Sequence, residues 1–155
     1  HGDGTSLWTL TFNTDFARGF IGLMGNIHAI GEAVQITGDE TLTWNQIHTV
    51  IAQALGGELH PCYVSSELIA AGSPAEWDLR GALIGDKANS VVFDNTKLKR
   101  LVPDFVATVR FDQGVRKILD YINAHPECRK EDPEFDRWCD KVVAAQEEAL
   151  KRMRQ

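Results

Sequence analysis

Apolar and polar positions alternate with a period of two across residues 6–12, where Trp8, Leu10 and Phe12 fall on one side and Leu7, Thr9 and Thr11 on the other. This spacing predicts a strand. The period then becomes helical: Phe16, Ala17, Phe20, Ile21, Leu23 and Met24 recur at i, i+4, i+7 spacing, behind Asn13 or Thr14 as N-cap and ahead of Gly25 as the stop. The apolar face of this helix is wide, so it is expected to be well buried. A further strand is predicted over 32–37, with Val34 and Ile36 on one face and the turn "GDE" after it.

The clearest helix follows. Thr43 and Gln46 have the spacing of a capping box, and Trp44, Ile47, Ile51, Ala54 and Leu55 make one stripe up to Gly56 and Gly57. The stretch "ELHPCYVS" has the content of a short strand, with Pro61 favouring an edge or a bend. Ser73-Pro74-Ala75-Glu76 reads as a short helix start, and 72–89 is otherwise loop-like, carrying Trp77, Gly81 and Gly85. Long irregular stretches in compact domains often serve as lids. A strand is expected around residues 91–93, then a short helix begun by Asp94 and ended before Pro103. Asp112 is read as the cap of a helix that buries Val115, Ile118, Leu119 and Ile122 before Pro126. The last helix starts at Asp132-Pro133, spans about 132–154 and ends in "LKRMRQ", with acid at its positive end and base at its negative end; Phe135, Trp138, Cys139 and Val142 form its stripe, and it becomes polar beyond them.

Composition narrows the class. A chain of 155 residues, 43% hydrophobic, supports one domain over 1–155, and a chain of that size buries roughly 70% of its unfolded surface. The formal net charge of -6 repels phosphates and anionic lipid, which argues against nucleic acid and a membrane surface. Three cysteines, Cys62, Cys128 and Cys139, suit reduced thiols and a cytoplasmic location better than a disulfide framework. The absence of an initiator Met before His1 leads to the expectation that the chain is cut from something longer, by nature, engineering or proteolysis.

No phosphate loop, zinc-protease helix or nucleophile elbow can be found. Neither tyrosine has a lysine four positions on: Tyr63 is followed by Glu67 and Tyr121 by His125. No catalytic or cofactor-binding residue is therefore assigned. His125, Cys128 and Cys139 are metal-ligand types without a fourth ligand at a usual spacing, so no metal site is assigned, and Cys139 is read as a buried structural thiol. His28 and His48 are read as surface or satisfied core histidines, and Asp15 as a first-turn carboxylate favoured by the helix dipole.

Three stretches in order resemble the C-terminal part of the NAD-dependent epimerase/dehydratases, in the extended short-chain dehydrogenase/reductase superfamily. "GDGTSLWTLTFNTDFARGF" resembles the family's G-D-G-x-x-x-R-D-F-[VI]-x-V-x-D-x-[AV] segment, with Gly2, Asp3, Gly4 and Asp15 matching; "GEAVQITGDETLTWNQIHTVIAQALG" resembles the strand, turn and helix after it; and "FDNTKLKRLVPDF" with "FDQGVRKILDYI" is similar to the family's D-x-[ST]-K segment and closing helix, here after Gly114. The resemblance implies an α/β fold of mixed helices and short strands, the substrate-binding portion of an extended short-chain dehydrogenase lacking its N-terminal Rossmann half. It also implies a lid over a sugar or related carbinol, oxidoreductase or isomerase chemistry in the parent, and NAD or NADP bound there and not by this fragment, which alone is expected to be catalytically silent.

The expected partners are that Rossmann half, a small-molecule substrate and, with half of the fold removed, a second copy of the chain through self-association. The substrate pocket is expected to be lined by the strand of Trp8 and the loop carrying Trp77, Arg80, Lys87 and Asn89. Trp8 stands where the family places an arginine on a diphosphate, which turns the expectation from nucleoside-diphosphate sugars to an uncharged or smaller substrate. The alternative is a non-enzymatic RNA-binding or regulatory relative, for which "KLKR" and "LKRMRQ" are the basic clusters.

Overall fold

The computed structural model describes residues 1–155, and it places strand β1 (Leu7–Thr9) within the alternating stretch. Its ladder partner is β2 (Thr41–Thr43), antiparallel, in the register Leu7↔Thr43, Trp8↔Leu42 and Thr9↔Thr41. β2 runs directly into α2 (Trp44–Ala54) because Thr43 serves both. Its hydroxyl accepts the Gln46 N–H at 3.2 Å, and the Gln46 side chain accepts the Thr43 N–H at 2.8 Å, so two orphan donors of the helix start are satisfied reciprocally. Gly56, at φ +81°, ends that helix in the left-handed conformation open to glycine. The other elements are helical, so the chain is a small mixed α/β domain with a two-stranded sheet.

Helix α1 (Asn13–Leu23) is turned opposite to the expectation. Asp15 and Gly19 are its buried residues, while Phe16 (48% exposed), Phe20 (52%), Ile21 (65%) and Met24 (66%) look outward. The reason is close approach. A Cβ on Gly19 would lie 2.7 Å from the Ile36 side chain and 3.2 Å from the Phe105 ring, and one on Gly22 would strike Val102. The small-residue side of the helix therefore lets 36 and 102–105 seat against its backbone, and the bulky side is left over. Neither Asn13 nor Thr14 caps the helix; Phe12 precedes it in extended conformation, and Asn13 is its first residue.

Residues 32–38 run without turn, bend or ladder, so the strand expected at 32–37 is not paired. The expected strand at "ELHPCYVS" is likewise unpaired. Its end instead supplies Ser65, whose hydroxyl caps α3 (Ser66–Gly72), a helix the apolar pattern did not announce. The stretch 72–89 is not loop but a chain of short helical turns. A 3₁₀ turn (Ala75–Trp77) leads to α4 (Leu79–Ala82), opened by Asp78 at φ +40°, and then to a π turn (Leu83–Lys87) closed by Ala88 N–H on Leu83 O at 2.7 Å. Ser73 does not cap the 3₁₀ turn, whose preceding residue is Pro74. Leu83 is buried, which anchors the run to the core.

Helix α5 (Thr96–Leu101) begins where Asp94 accepts the Thr96 N–H at 2.8 Å, and it carries the fully buried Leu98. α6 (Phe111–Ala124) packs on α2. Asp112 lies inside its first turn and does not cap it; the helix start is held by the Gln113 side chain on the Arg110 N–H and by Glu40 on the Phe111 N–H at 2.6 Å. Val115 is buried as expected, whereas Ile118 is half exposed. α7 (Pro133–Met153) starts under an Asp132 cap, as its acidic start indicates, and has no buried residue.

Only Ile47, Val64, Leu83, Leu98, Phe105 and Val115 make up the buried apolar core. The accessible surface is 10766 Å², roughly 3,000 Å² above the value of about 7,800 Å² that a compact 17.2 kDa chain presents. The projecting α7 accounts for part of this excess, and the outward face of α1 for another part.

Candidate functional site

β1 is the spine of the candidate site. β2 lies on one edge, and residues 90–91 lie on the other: Val91 N–H donates to Leu7 O at 2.9 Å, the Thr9 hydroxyl donates to Val91 O at 3.0 Å, and Leu7 N–H donates to the Ser90 hydroxyl at 3.0 Å. The Ser6 hydroxyl donates to Lys87 O at 2.9 Å, so the end of the π turn is pinned beside the strand. This brings the Lys87 ammonium to 5.8 Å from the centroid of the Trp8 ring, within the distance at which a cation is drawn to an indole face. π turns frequently coincide with functional sites because the extra residue re-aims a side chain.

Trp8 packs in turn on Trp44, ring centroids 5.5 Å apart, and Trp44 is flanked by His1 at 5.0 Å and His48 at 6.0 Å. Trp44 and His48 meet because they are four residues apart on α2. The Trp44 indole N–H and His1 Nε2 are out of solvent and have no hydrogen-bond partner. Burial pushes the His48 imidazole below its ordinary value of 6.5, which favours its neutral form.

His1 reaches this cluster through the G-D-G turn. Gly2 (φ +59°) donates its N–H to Val64 O at 2.7 Å, and Gly4 (φ +70°) lies against the Asn45 side chain, whose Nδ2 donates to Asp3 O at 2.9 Å. Both glycines occupy conformations that other residues avoid, and a side chain at Gly4 would also strike Asn45.

Of the five residues expected to line a pocket, the structure brings together Trp8 and Lys87. Arg80 is held in an exposed ion pair with Glu67 at 2.8 Å, tying α4 to α3. Asn89 donates to Ile84 O at 3.1 Å and closes the π turn. Trp77 packs against Phe135 at 5.6 Å and Trp138 at 5.3 Å, so it serves as the dock for α7. Sequence reasoning missed Trp44, His48 and His1 as neighbours of Trp8. The i, i+4 spacing of Trp44 and His48 is the signal for that pair, but Trp44 also belongs to the apolar stripe of α2, which gives it a packing role in the sequence pattern.

Asp15, expected as a first-turn carboxylate, is 1% exposed and crosses to the backbone of residues 108–109. His125 stacks on Tyr121 with centroids 4.0 Å apart, its Nδ1 2.8 Å from Tyr121 O. Cys128 is exposed, and Cys139 is half-buried beside Trp138 with its thiol pushed up by burial and by Asp136 and Asp140. No helix is long and apolar enough to cross a membrane. Comparison with protein-family models, with curated proteins and with solved structures finds no match for this chain.

Proposed function

We propose that this chain is the substrate-side domain of an NAD(P)-dependent epimerase, dehydratase or reductase of the extended short-chain dehydrogenase type, completed by a nucleotide-binding half that supplies the cofactor and the catalytic residues. One observation carries the reading: the large apolar face of α1 and the unpaired stretch 33–36 lie side by side at the surface. Hydrophobic area and open backbone on this scale are what a sheet and its flanking helix leave when the neighbouring layer belongs to another unit. In this reading Trp8 and Lys87 form part of the substrate wall. Neutral His48, close to that wall through Trp44, carries no charge to favour a phosphate.

The coding frame upstream of the His1 codon tests the proposal. A strand followed by a glycine-rich G-x-x-G-x-x-G turn, with a Tyr-x-x-x-Lys pair before His1, is the expected finding. A start codon beside His1, or an upstream half lacking the tyrosine and lysine, overturns the enzymatic reading.

A further inference from the structure

Helix α7 is 21 residues long, about 31 Å, and the chain fastens only its first turns. Trp138 donates its indole N–H to Gly72 O at 2.9 Å and, with Phe135, meets the Trp77 ring. Beyond Trp138 no hydrogen bond or ion pair joins the helix to the rest of the chain. The part from Cys139 to Met153 therefore projects.

A second apolar line runs along that projecting part, displaced around the helix from the side that Phe135 and Trp138 fasten. Cys139, Val143, Gln146, Leu150 and Met153 recur at spacings of four, three, four and three, and Val143, Leu150 and Met153 are exposed. This is the spacing at which two helices wrap on each other, with Val143 and Leu150 at one seam position and Cys139, Gln146 and Met153 at the other. Gln146 is its polar member, and a single polar residue in such a seam costs stability while restricting the register.

Charge selects the direction of the partner. Asp132, Glu134, Asp136 and Asp140 make the start of α7 acidic, with Arg137 alone against them, whereas Lys151, Arg152 and Arg154 close it. Glu148 occupies Arg152 at 2.9 Å, which leaves Lys151 and Arg154 without a carboxylate. A parallel pair would set acid beside acid and base beside base. An antiparallel pair lays the basic end of each helix beside the acidic start of the other, and it opposes the two helix dipoles.

We propose that the projecting part of α7 pairs, antiparallel, with α7 of a second copy of this chain through the line from Cys139 to Met153. The longest overlap sets Cys139 against Leu150 of the second copy and Val143 against Gln146 of the second copy, each relation being repeated by the two-fold axis. The two fastened starts then lie about 26 Å apart along a common rod, so the pairing leaves the face of α1 uncovered. The same register sets Asp140 beside Glu147 of the second copy, a like-charge contact that keeps the pair weak and reversible. The proposal uses α7 alone and does not depend on the enzymatic reading.

Cross-linking and sedimentation equilibrium test it. Every chain carries Ile21→Glu, which puts a charge on the α1 face, together with Cys62→Ser and Cys128→Ser at two exposed thiols, so that Cys139 is the one thiol left. Leu150→Cys is then added under oxidised glutathione. Within one helix the two thiols are eleven residues apart, about 16 Å and too far to bridge, so a disulfide between them joins two copies. Covalent dimers linking Cys139 of one copy to position 150 of the other are expected, while the chain that keeps Leu150 stays uncross-linked. In the reversible dimer, Leu150→Glu is expected to weaken association at least about tenfold and Glu147→Lys to tighten it about tenfold. Core stability is expected to hold in all of these variants, because α7 buries no residue.

A bridge between two Cys139 thiols or between two introduced thiols means parallel helices, and no bridge means no pairing; either overturns the proposal. So does a dissociation constant that Leu150→Glu leaves unchanged, or one that Glu147→Lys leaves unchanged or raises. These outcomes leave the enzymatic reading standing, and a parent without the tyrosine and lysine leaves the pairing of α7 intact.

Discussion

The carboxylate of Asp15 on α1 accepts the backbone N–H of Val109 at 2.8 Å, binding the helix to the strand-like approach of α6, ninety-four residues further along the chain. The Thr108 N–H at 3.0 Å and hydroxyl at 3.1 Å complete its coordination, and Arg18 lies 3.6 Å away. Burial works to raise the carboxyl's affinity for protons, but the Val109 and Thr108 donors and Arg18 outweigh it and hold the pKa below its ordinary 3.8. A folded pKa depressed in this way adds stability above the unfolded value, and that stability is lost as pH falls through the folded value. Urea midpoints measured downward from pH 6 should therefore drop below about pH 4. Asp15→Asn should flatten the drop, and Asp15→Ala should cost about 2–3 kcal/mol at neutral pH by leaving these donors unpaired. An acid limb identical in Asp15→Asn and the parent would refute this account.

Gly19 sets how closely α1 can approach Ile36 and Phe105. Alanine at an unconstrained helix position gains about 1 kcal/mol over glycine. Here the added methyl meets the Ile36 side chain, and overpacking costs roughly 1–3 kcal/mol. Gly19→Ala should thus lower the denaturation midpoint; a higher midpoint would show that Ile36 moves aside freely.

The outward face of α1 makes the opposite prediction. Ile21 is 65% exposed, so Ile21→Glu should change the stability of the chain by no more than about 0.5 kcal/mol while reducing binding of a hydrophobic dye. Leu98→Ala, at a side chain with no exposure, should cost about 2–5 kcal/mol. Comparable losses for the two variants, read by chemical denaturation, would mean that α1 buries its bulky side.

α7 is fastened by Trp138, whose indole donates to Gly72 O at 2.9 Å and whose ring meets Trp77 and Phe135. Trp138→Ala should release the helix. Limited proteolysis should then cut near residues 129–132 much faster, while the core retains its unfolding midpoint.

For the proposed parent enzyme, Trp8→Ala should raise KM or lower kcat and leave NAD(P) affinity nearly unchanged, because Trp8 and Lys87 are assigned to the substrate wall. Loss of cofactor affinity in the folded variant would move Trp8 out of that role.

What could be read from the sequence was local. The Thr43–Gln46 cap, the Asp132 cap and the stop at Gly56 depend on neighbours within a turn, so spacing alone locates them. The orientation of α1 depends on where Ile36 and Phe105 arrive, and a helical period reports a stripe without saying what covers it. β2 was hidden because a three-residue ladder needs its partner 34 positions away. The pairing of Trp8 with Lys87 was partly legible as two expected wall residues, whereas Trp44 and His48 joined them only through the ladder that sets α2 against β1.

The outward face of α1 also bears on the fate of the chain in a cell. Eighteen large apolar side chains stay at least partly in water, the kind of surface that chaperones and degradative proteases engage. A copy in which the proposed nucleotide-binding half is missing or misfolded would keep this face in water, and it would be held or destroyed before it accumulates.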